Sequence, residues 1–195
     1  MSIPFTVLFV CVGNVCRSPL AERLLRERLD ALLGDQSVEV VVGSAGVRAM
    51  AGHPMEQMAA AELDRLGGSS KGFAARQLTE RIVSQADLVL TATKEIRSRV
   101  LEESPAALRR AFTLTEFAAL VRDVHADSLE ALVADAARRR STAQVENYDI
   151  ADPIGDTPEL HREVADVIDG SVGPVAEAIA SAMRQNTVDA GSARS

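Results

Sequence analysis

With 195 residues, 47% of them hydrophobic, a formal charge of −7 and two cysteines, the chain can bury one sizeable core but cannot build a secreted multi-bridge framework. The acidic balance argues against nucleic-acid binding while leaving room for a local anion site. No run approaches the roughly 18 apolar residues of a membrane span, and no basic amino-terminal region precedes a cleavable apolar segment, so membrane insertion and export are not expected and a cytoplasmic setting is.

"FTVLFV" (Phe5 to Val10) is apolar on both alternate faces, as in a strand covered on both sides. "LAERLLRERLDALL" follows Pro19 with Ala21, Leu25, Leu29, Leu32 and Leu33 at helical spacing, and Ser18 before Pro19 suits an N-cap followed by the first helical position. "VEVVVGSAG" supplies a second strand, Val38 to Val42, leaving through small residues suited to a tight turn. "MEQMAAAELDRLG" is a short helix stopped by Gly67 and Gly68, "AARQLTERIV" a helix, and "ADLVLTA" a third buried strand. Thr93 caps the helix of "TKEIRSRVLEESP", "RAFTLTEF" holds a fourth short strand, and "SLEALVADAARRR" is a helix whose Arg138, Arg139 and Arg140 form a solvated end. The last helical pattern, from Thr157 to Met183, is interrupted by Gly170, Gly173 and Pro174, which predict a break or kink. The alternation predicts a single-domain α/β fold over residues 1–185 with a parallel sheet, followed by a flexible tail at 186–195. Strand order and oligomeric state cannot be read from spacing.

Between the first strand and first helix stands "CVGNVCRSP", Cys11 to Pro19, where a plain connection needs neither two thiols nor an arginine. Gly13 permits a turn that a side chain would obstruct, and the successive amides of Val12, Gly13, Asn14, Val15, Cys16, Arg17 and Ser18 can converge on an anion at a helix start. Arg17 adds a planar bidentate clamp for phosphate or a similar tetrahedral oxyanion. Cys11 is the candidate nucleophile, its thiolate favoured by the same positive field. Asn14 and Ser18 are support residues for the loop. Cys16 has two readings, a buried small hydrophobe or a redox partner closing a reversible disulfide with Cys11. The loop lacks the lysine and hydroxyl of a nucleotide-binding loop and the three glycines of a dinucleotide site. No spacing of histidines and cysteines suits a metal.

A thiolate that accepts a phosphoryl group needs help expelling the ester oxygen. "ENYDIADPIGD" offers Glu146, Asp149, Asp152 and Asp156, and Asp152 is the preferred general acid because Pro153 restricts the backbone before it and holds the carboxyl outside a helix. It protonates the leaving oxygen as Cys11 attacks phosphorus, then acts as base for the water that hydrolyses the cysteinyl-phosphate, with Arg17 stabilising both transition states. Asp149 is the rival. His125 and His161 read as surface or packing residues, and His53, beside Pro54, as a loop residue near the pocket rim.

"CVGNVCRSP" resembles the signature loop of the low-molecular-weight protein tyrosine phosphatase family, and "DP" at Asp152 and Pro153 looks like its acid/base loop. "SAG" (Ser44 to Gly46) and "ARQL" (Ala75 to Leu78) are similar to intervening elements of bacterial members, so the likeness runs from about residue 5 to about 184. The resemblance implies a four-stranded parallel sheet flanked by helices, no metal or other cofactor, and a phosphocysteine intermediate. It also implies Cys11 as nucleophile, Arg17 as clamp, Asp152 as acid/base, Asn14 and Ser18 as loop support, and Ser44 as a further brace. The expected substrate is a phosphotyrosyl protein or a small aryl phosphate. The chain departs from the family at the pocket wall, where Met50, His53 and Ile154 replace the usual aromatics. Tyr148, the only tyrosine, reads either as displaced toward the rim or as packed at a helix end. Two rival functions share the cradle. A thiol-dependent arsenate reductase would use Cys11 and Arg17 with an external thiol reductant, since the only other cysteine is Cys16. A non-catalytic phosphopeptide-binding module would use Arg17 and the amides without needing Cys11 as a nucleophile.

Overall fold

The computed structural model describes residues 3–192, with side chains to residue 185. The strands β1 (Phe5–Cys11), β2 (Val40–Gly46), β3 (Leu88–Thr91) and β4 (Ala111–Thr113) form a parallel sheet in the order β2-β1-β3-β4. The helices are α1 (Arg17–Leu33), α2 (Gln57–Arg65), α3 (Glu80–Ser84), α4 (Lys94–Glu103), α5 (Leu114–Val121), α6 (Leu129–Arg139) and α7 (Pro158–Ser192). Alternate residues of β1 feed two apolar layers. Val7 and Phe9 join Leu25, Phe117, Ile168 and Ile179 from α1, α5 and α7, while Leu8 and Val10 join Val83, Ile96 and Val100 from α3 and α4. Both faces of the central strand are therefore covered, which is why its sequence is a continuous apolar run. Each such fully buried side chain contributes about 1.5–3 kcal/mol.

The chain leaves β1 toward β2 on one side and returns to β3 on the other. The loops after β1 and β3 diverge, and this topological switch opens a crevice outside the carboxyl ends of the strands. Cys11 is the last residue of β1, paired with Gly46 of β2, and so stands at its floor.

Several local expectations are corrected. Helix α1 begins at Arg17 with Cys16 in the cap position, so Ser18 is helical and its hydroxyl turns into the loop. A 3-10 turn, Gly34–Glu39, delays β2 to Val40, and the strand continues through Ser44, Ala45 and Gly46 rather than turning there. Residues 74–78 are extended, not helical: Gly46 N donates to Arg76 O and Leu78 N to Gly46 O, and α3 starts only after Thr79 caps Ile82 N. Helix α5 follows β4 directly, where the pattern predicts only a strand, and Thr113 and Glu116 form its capping box. Helix α7 runs without interruption through Pro174. Arg139 and Arg140 are not a solvated end, since they reach back to the carbonyls of Leu120 and Ala111 at 2.7 and 2.6 Å. The expected flexible tail at 186–195 lies outside the residues whose side chains are described, and from 193 outside the described backbone. No helix among the described residues is long and apolar enough to cross a membrane.

Candidate active site

The residues between Cys11 and Arg17 fold back over the start of α1. Their carbonyls are paired outward: Cys11 O accepts from Val47 N at 3.0 Å, Val12 O from Arg48 N at 3.0 Å, Gly13 O from Met50 N at 2.9 Å and Val15 O from Glu56 N at 2.9 Å. Among the described residues, the amides of Gly13, Val15 and Cys16 donate to no protein acceptor, and Asn14 N donates to Cys11 Sγ at 3.2 Å. Outward carbonyls with uncommitted amides beside a helix N-terminus make a receptor for an anion.

The left-handed residue of the loop is Asn14, with φ 55°, and not Gly13 as the sequence suggests. A non-glycine there costs on the order of 1 kcal/mol or more. Three hydrogen bonds offset it. Asn14 Nδ2 donates to Ser18 Oγ at 2.9 Å and Ser44 Oγ at 2.8 Å, and Oδ1 accepts from Arg76 N at 2.9 Å. Ser18 Oγ, which accepts from Asn14, also lies 2.9 Å from Cys11 Sγ, where its hydroxyl can donate once the sulfur is a thiolate. Ser44 Oγ in turn donates to Glu22 Oε2 at 2.5 Å, and Arg76 Nε donates to Ser44 O at 2.6 Å. Sequence reasoning did not single out Glu22 or Arg76 as members of this network. The only sequence signals for them are the position of Glu22 one helical turn after Ser18 and the "ARQL" segment around Arg76. Gly46 is the close-approach glycine, since a Cβ on it would lie 2.4 Å from Val12 O and 3.0 Å from Asn14 N.

Arg17 is almost completely buried, at 4% exposure. Its Nη1 donates to Ile150 O at 2.9 Å and its Nη2 to Asp152 Oδ2 at 2.6 Å, while the buried Nε has no partner among the described residues. The loop bearing Asp152 is fastened to the sheet end, to α4 and to α5. Ile150 N donates to Ala92 O at 2.9 Å, Thr115 Oγ1 to Tyr148 O at 2.9 Å, and Lys94 N to Asp149 Oδ1 at 2.8 Å. Asp149 is thus engaged at the first turn of α4, whereas Asp152, 40% exposed, stands at the mouth of the crevice.

A cavity of about 320 Å³ opens over Cys11 and is lined by Val12, Gly13, Val15, Cys16, Arg17, Arg48, Met50, Asp152 and Ile154. Of the rim candidates, Met50 and Ile154 line this cavity. The other two rim candidates lie elsewhere. His53 is exposed, with Nδ1 3.1 Å from Met50 O, and does not line the cavity. Tyr148 packs at the helix end, its hydroxyl on Ala143 O and the Lys94 ammonium 3.6 Å from its ring centroid. Arg48, which sequence reasoning did not single out, takes a place on the rim. His161 is buried as packing, with Nδ1 3.7 Å from Glu56 Oε2, and His125 sits on the surface beside Ser181.

Both cysteines are buried free thiols facing one cavity. Burial foremost, then the charge of Glu56, pushes the Cys16 thiol up to about 12, so it stays protonated at neutral pH.

Residues 6–138 match the family described as low molecular weight phosphotyrosine protein phosphatase. The probable low molecular weight protein-tyrosine-phosphatase EpsP of Ralstonia nicotianae is 36% identical over 111 residues, 57% of this chain and 71% of that protein. In this and several other curated relatives, the matched stretch spans 57–71% of their own length. Among solved structures, the low molecular weight protein tyrosine phosphatase of T. tengcongensis superimposes with a TM-score of 0.69 at 28% identity, covering 89% of this chain and 98% of that one. The YwlE arginine phosphatase of Geobacillus stearothermophilus does so at 0.66 and 30% identity, covering 89% and 92%.

Proposed function

This chain belongs to the low molecular weight phosphotyrosine protein phosphatase family, and we propose that it hydrolyses phosphate esters of proteins, phosphotyrosine foremost, through a cysteinyl-phosphate on Cys11. One observation carries the reading: the Cys11 thiol lies at the base of a cavity whose wall holds Arg17 and Asp152 together, 2.6 Å apart. In the first step the Cys11 sulfur bonds to phosphorus as the ester bond breaks, and Asp152 delivers its proton to the leaving oxygen. The loop amides and Arg17, whose Nε is uncommitted, hold the equatorial oxygens. Arg17 and Asp152 cannot keep their mutual contact while both serve the substrate, so phosphate on Arg17 releases the carboxyl toward the leaving group. In the second step water attacks phosphorus, Asp152 takes its proton, and the thiolate leaves, returning inorganic phosphate. Ser18, donating to the sulfur, eases that departure.

A phosphorylated guanidinium is a second substrate class, raised by the likeness to an arginine phosphatase. Val12, Val15, Met50 and Ile154 give the rim an apolar character, and Asp152 is its one carboxylate, which favours an ester over a substrate carrying several N–H donors. Arsenate would fit the cradle, yet the chain has no thiols besides Cys11 and Cys16, so reduction would draw on an external thiol. Cys16 is proposed as a resolving thiol. After an oxidant such as peroxide converts Cys11 to its sulfenic acid, the Cys16 S–H condenses with it, releasing water and forming the disulfide. Dependence on a reduced nucleophile supports a cytoplasmic setting.

Phosphate release from p-nitrophenyl phosphate and phosphotyrosyl peptides, run beside arsenate with several thiol donors, tests the assignment. Cys11→Ser abolishes release, Arg17→Lys lowers kcat by about 100-fold or more, and Asp152→Asn lowers it by about 100-fold on peptides but less on the nitrophenyl ester, whose leaving group needs little protonation. Arsenite production without phosphate release contradicts the reading.

A further inference from the structure

A longer groove, about 560 Å³, joins the catalytic cavity through Val12, Arg17, Arg48 and Asp152, and runs beside α4. Val47, Leu78 and Ile96 line its apolar part. One wall is preformed, because Gln77 accepts from Ala49 N at 2.9 Å and donates to Val47 O at 3.0 Å. The opposite wall, on α4, presents Glu95, Glu102 and Glu103. Arg99 of the same helix lies 3.5 Å from Glu102 and takes up that charge. Glu95 and Glu103, both exposed, have no ion-pair partner among the described residues.

We propose that this groove receives the polypeptide flanking the phosphorylated residue, and that Glu95 and Glu103 select substrates with lysine or arginine there. The proposal rests on the phosphatase reading and narrows its substrate class. Helix α4 starts at the carboxyl end of the sheet, where its first amide holds Asp149, so Glu95 is at the cradle end of the groove. Glu103, eight residues further along the helix, lies about 12 Å beyond it. An extended chain covers that distance in about three to four residues. Basic side chains within a few positions of the phosphorylated residue therefore meet unpaired carboxylates across an apolar floor. An acidic flank would meet like charge there, and the chain's net charge of −7 repels it at longer range. Arg48 lines both the groove and the cradle, at their junction.

The test uses three phosphotyrosyl peptides of one length, with lysine, glutamine or glutamate at the flanking positions. Their kcat/KM values are each divided by that for p-nitrophenyl phosphate, which ends at the cradle, in the native protein and in a Glu95→Lys/Glu103→Lys variant. Binding of the same peptides to Cys11→Ser protein is followed by fluorescence anisotropy, a readout independent of turnover. At low salt the lysine peptide exceeds the glutamate peptide by about fivefold in both measurements, and the double charge reversal inverts the order. Equal binding of all three peptides, a preference for the glutamate peptide, or a preference that survives the double reversal overturns the proposal. If p-nitrophenyl phosphate itself is not turned over, the phosphatase reading fails, and the anisotropy order still decides the groove.

Discussion

The two thiols, five positions apart, are set to different tasks by their surroundings. Cys11 ends the strand, receives a hydrogen bond from Asn14 N and touches the Ser18 hydroxyl, whereas Cys16 sits at the helix cap, where burial and Glu56 hold its proton to about 12. The folded thiol is raised above its ordinary value near 9, so its contribution to stability is fully present below pH 9 and is lost as pH climbs through about 12. In Cys11→Ser protein, iodoacetamide labelling of Cys16 is expected to be negligible at pH 8 and to grow only toward pH 12; labelling at pH 8 as fast as that of free cysteine contradicts this. At this scale the sequence is most informative. Cys11, Asn14, Arg17 and Ser18 fall within eight consecutive residues, the Asp-Pro step marks the later Asp152, and the resemblance adds Ser44. Glu22 and Arg76 are much less visible, because they act on the loop only after β2 and the 74–78 segment have been laid beside it.

The site is built by the ends of elements, and their small residues are packing constraints. In "SAG" the sequence pattern suggested a turn, yet these residues complete β2 because the phosphate loop lies against Gly46. Gly46→Ala would drive Val12 and Asn14 out of place, since the contacted atoms are backbone and cannot rotate away. The expected result is a fall of at least about tenfold in kcat on p-nitrophenyl phosphate with the far-ultraviolet circular dichroism spectrum retained; a fully active variant contradicts the close-approach account. The same holds for residues 74–78, the part of the predicted 74–83 helix that is extended, whereas Glu80–Ser84 is helical. Ala75, Leu78 and Val83 are buried and fit a helical repeat, but the backbone of Arg76 and Leu78 is used by Gly46 and Asn14, and that demand outweighs periodicity.

For the whole molecule, alternation of strands and helices was enough for the fold class, while strand order was not readable because each crossover could pass to either side of β1. The order β2-β1-β3-β4 supplies what local pattern cannot, a crevice at the end of β1 that brings Cys11 and Arg17 to the Ile150–Asp152 segment more than 130 positions later. The same placement makes the cradle the end of a longer groove, so substrate choice depends on α4 as well as on the cradle. The most direct test of the central claim is mass spectrometry of Asp152→Asn protein, acid-quenched during turnover of p-nitrophenyl phosphate. The good leaving group lets the first step proceed while loss of the base slows the second, so phosphate is predicted on the Cys11 peptide, with Cys16 unmodified. Sustained turnover with Cys11 unmodified, or phosphate on another residue, would contradict it.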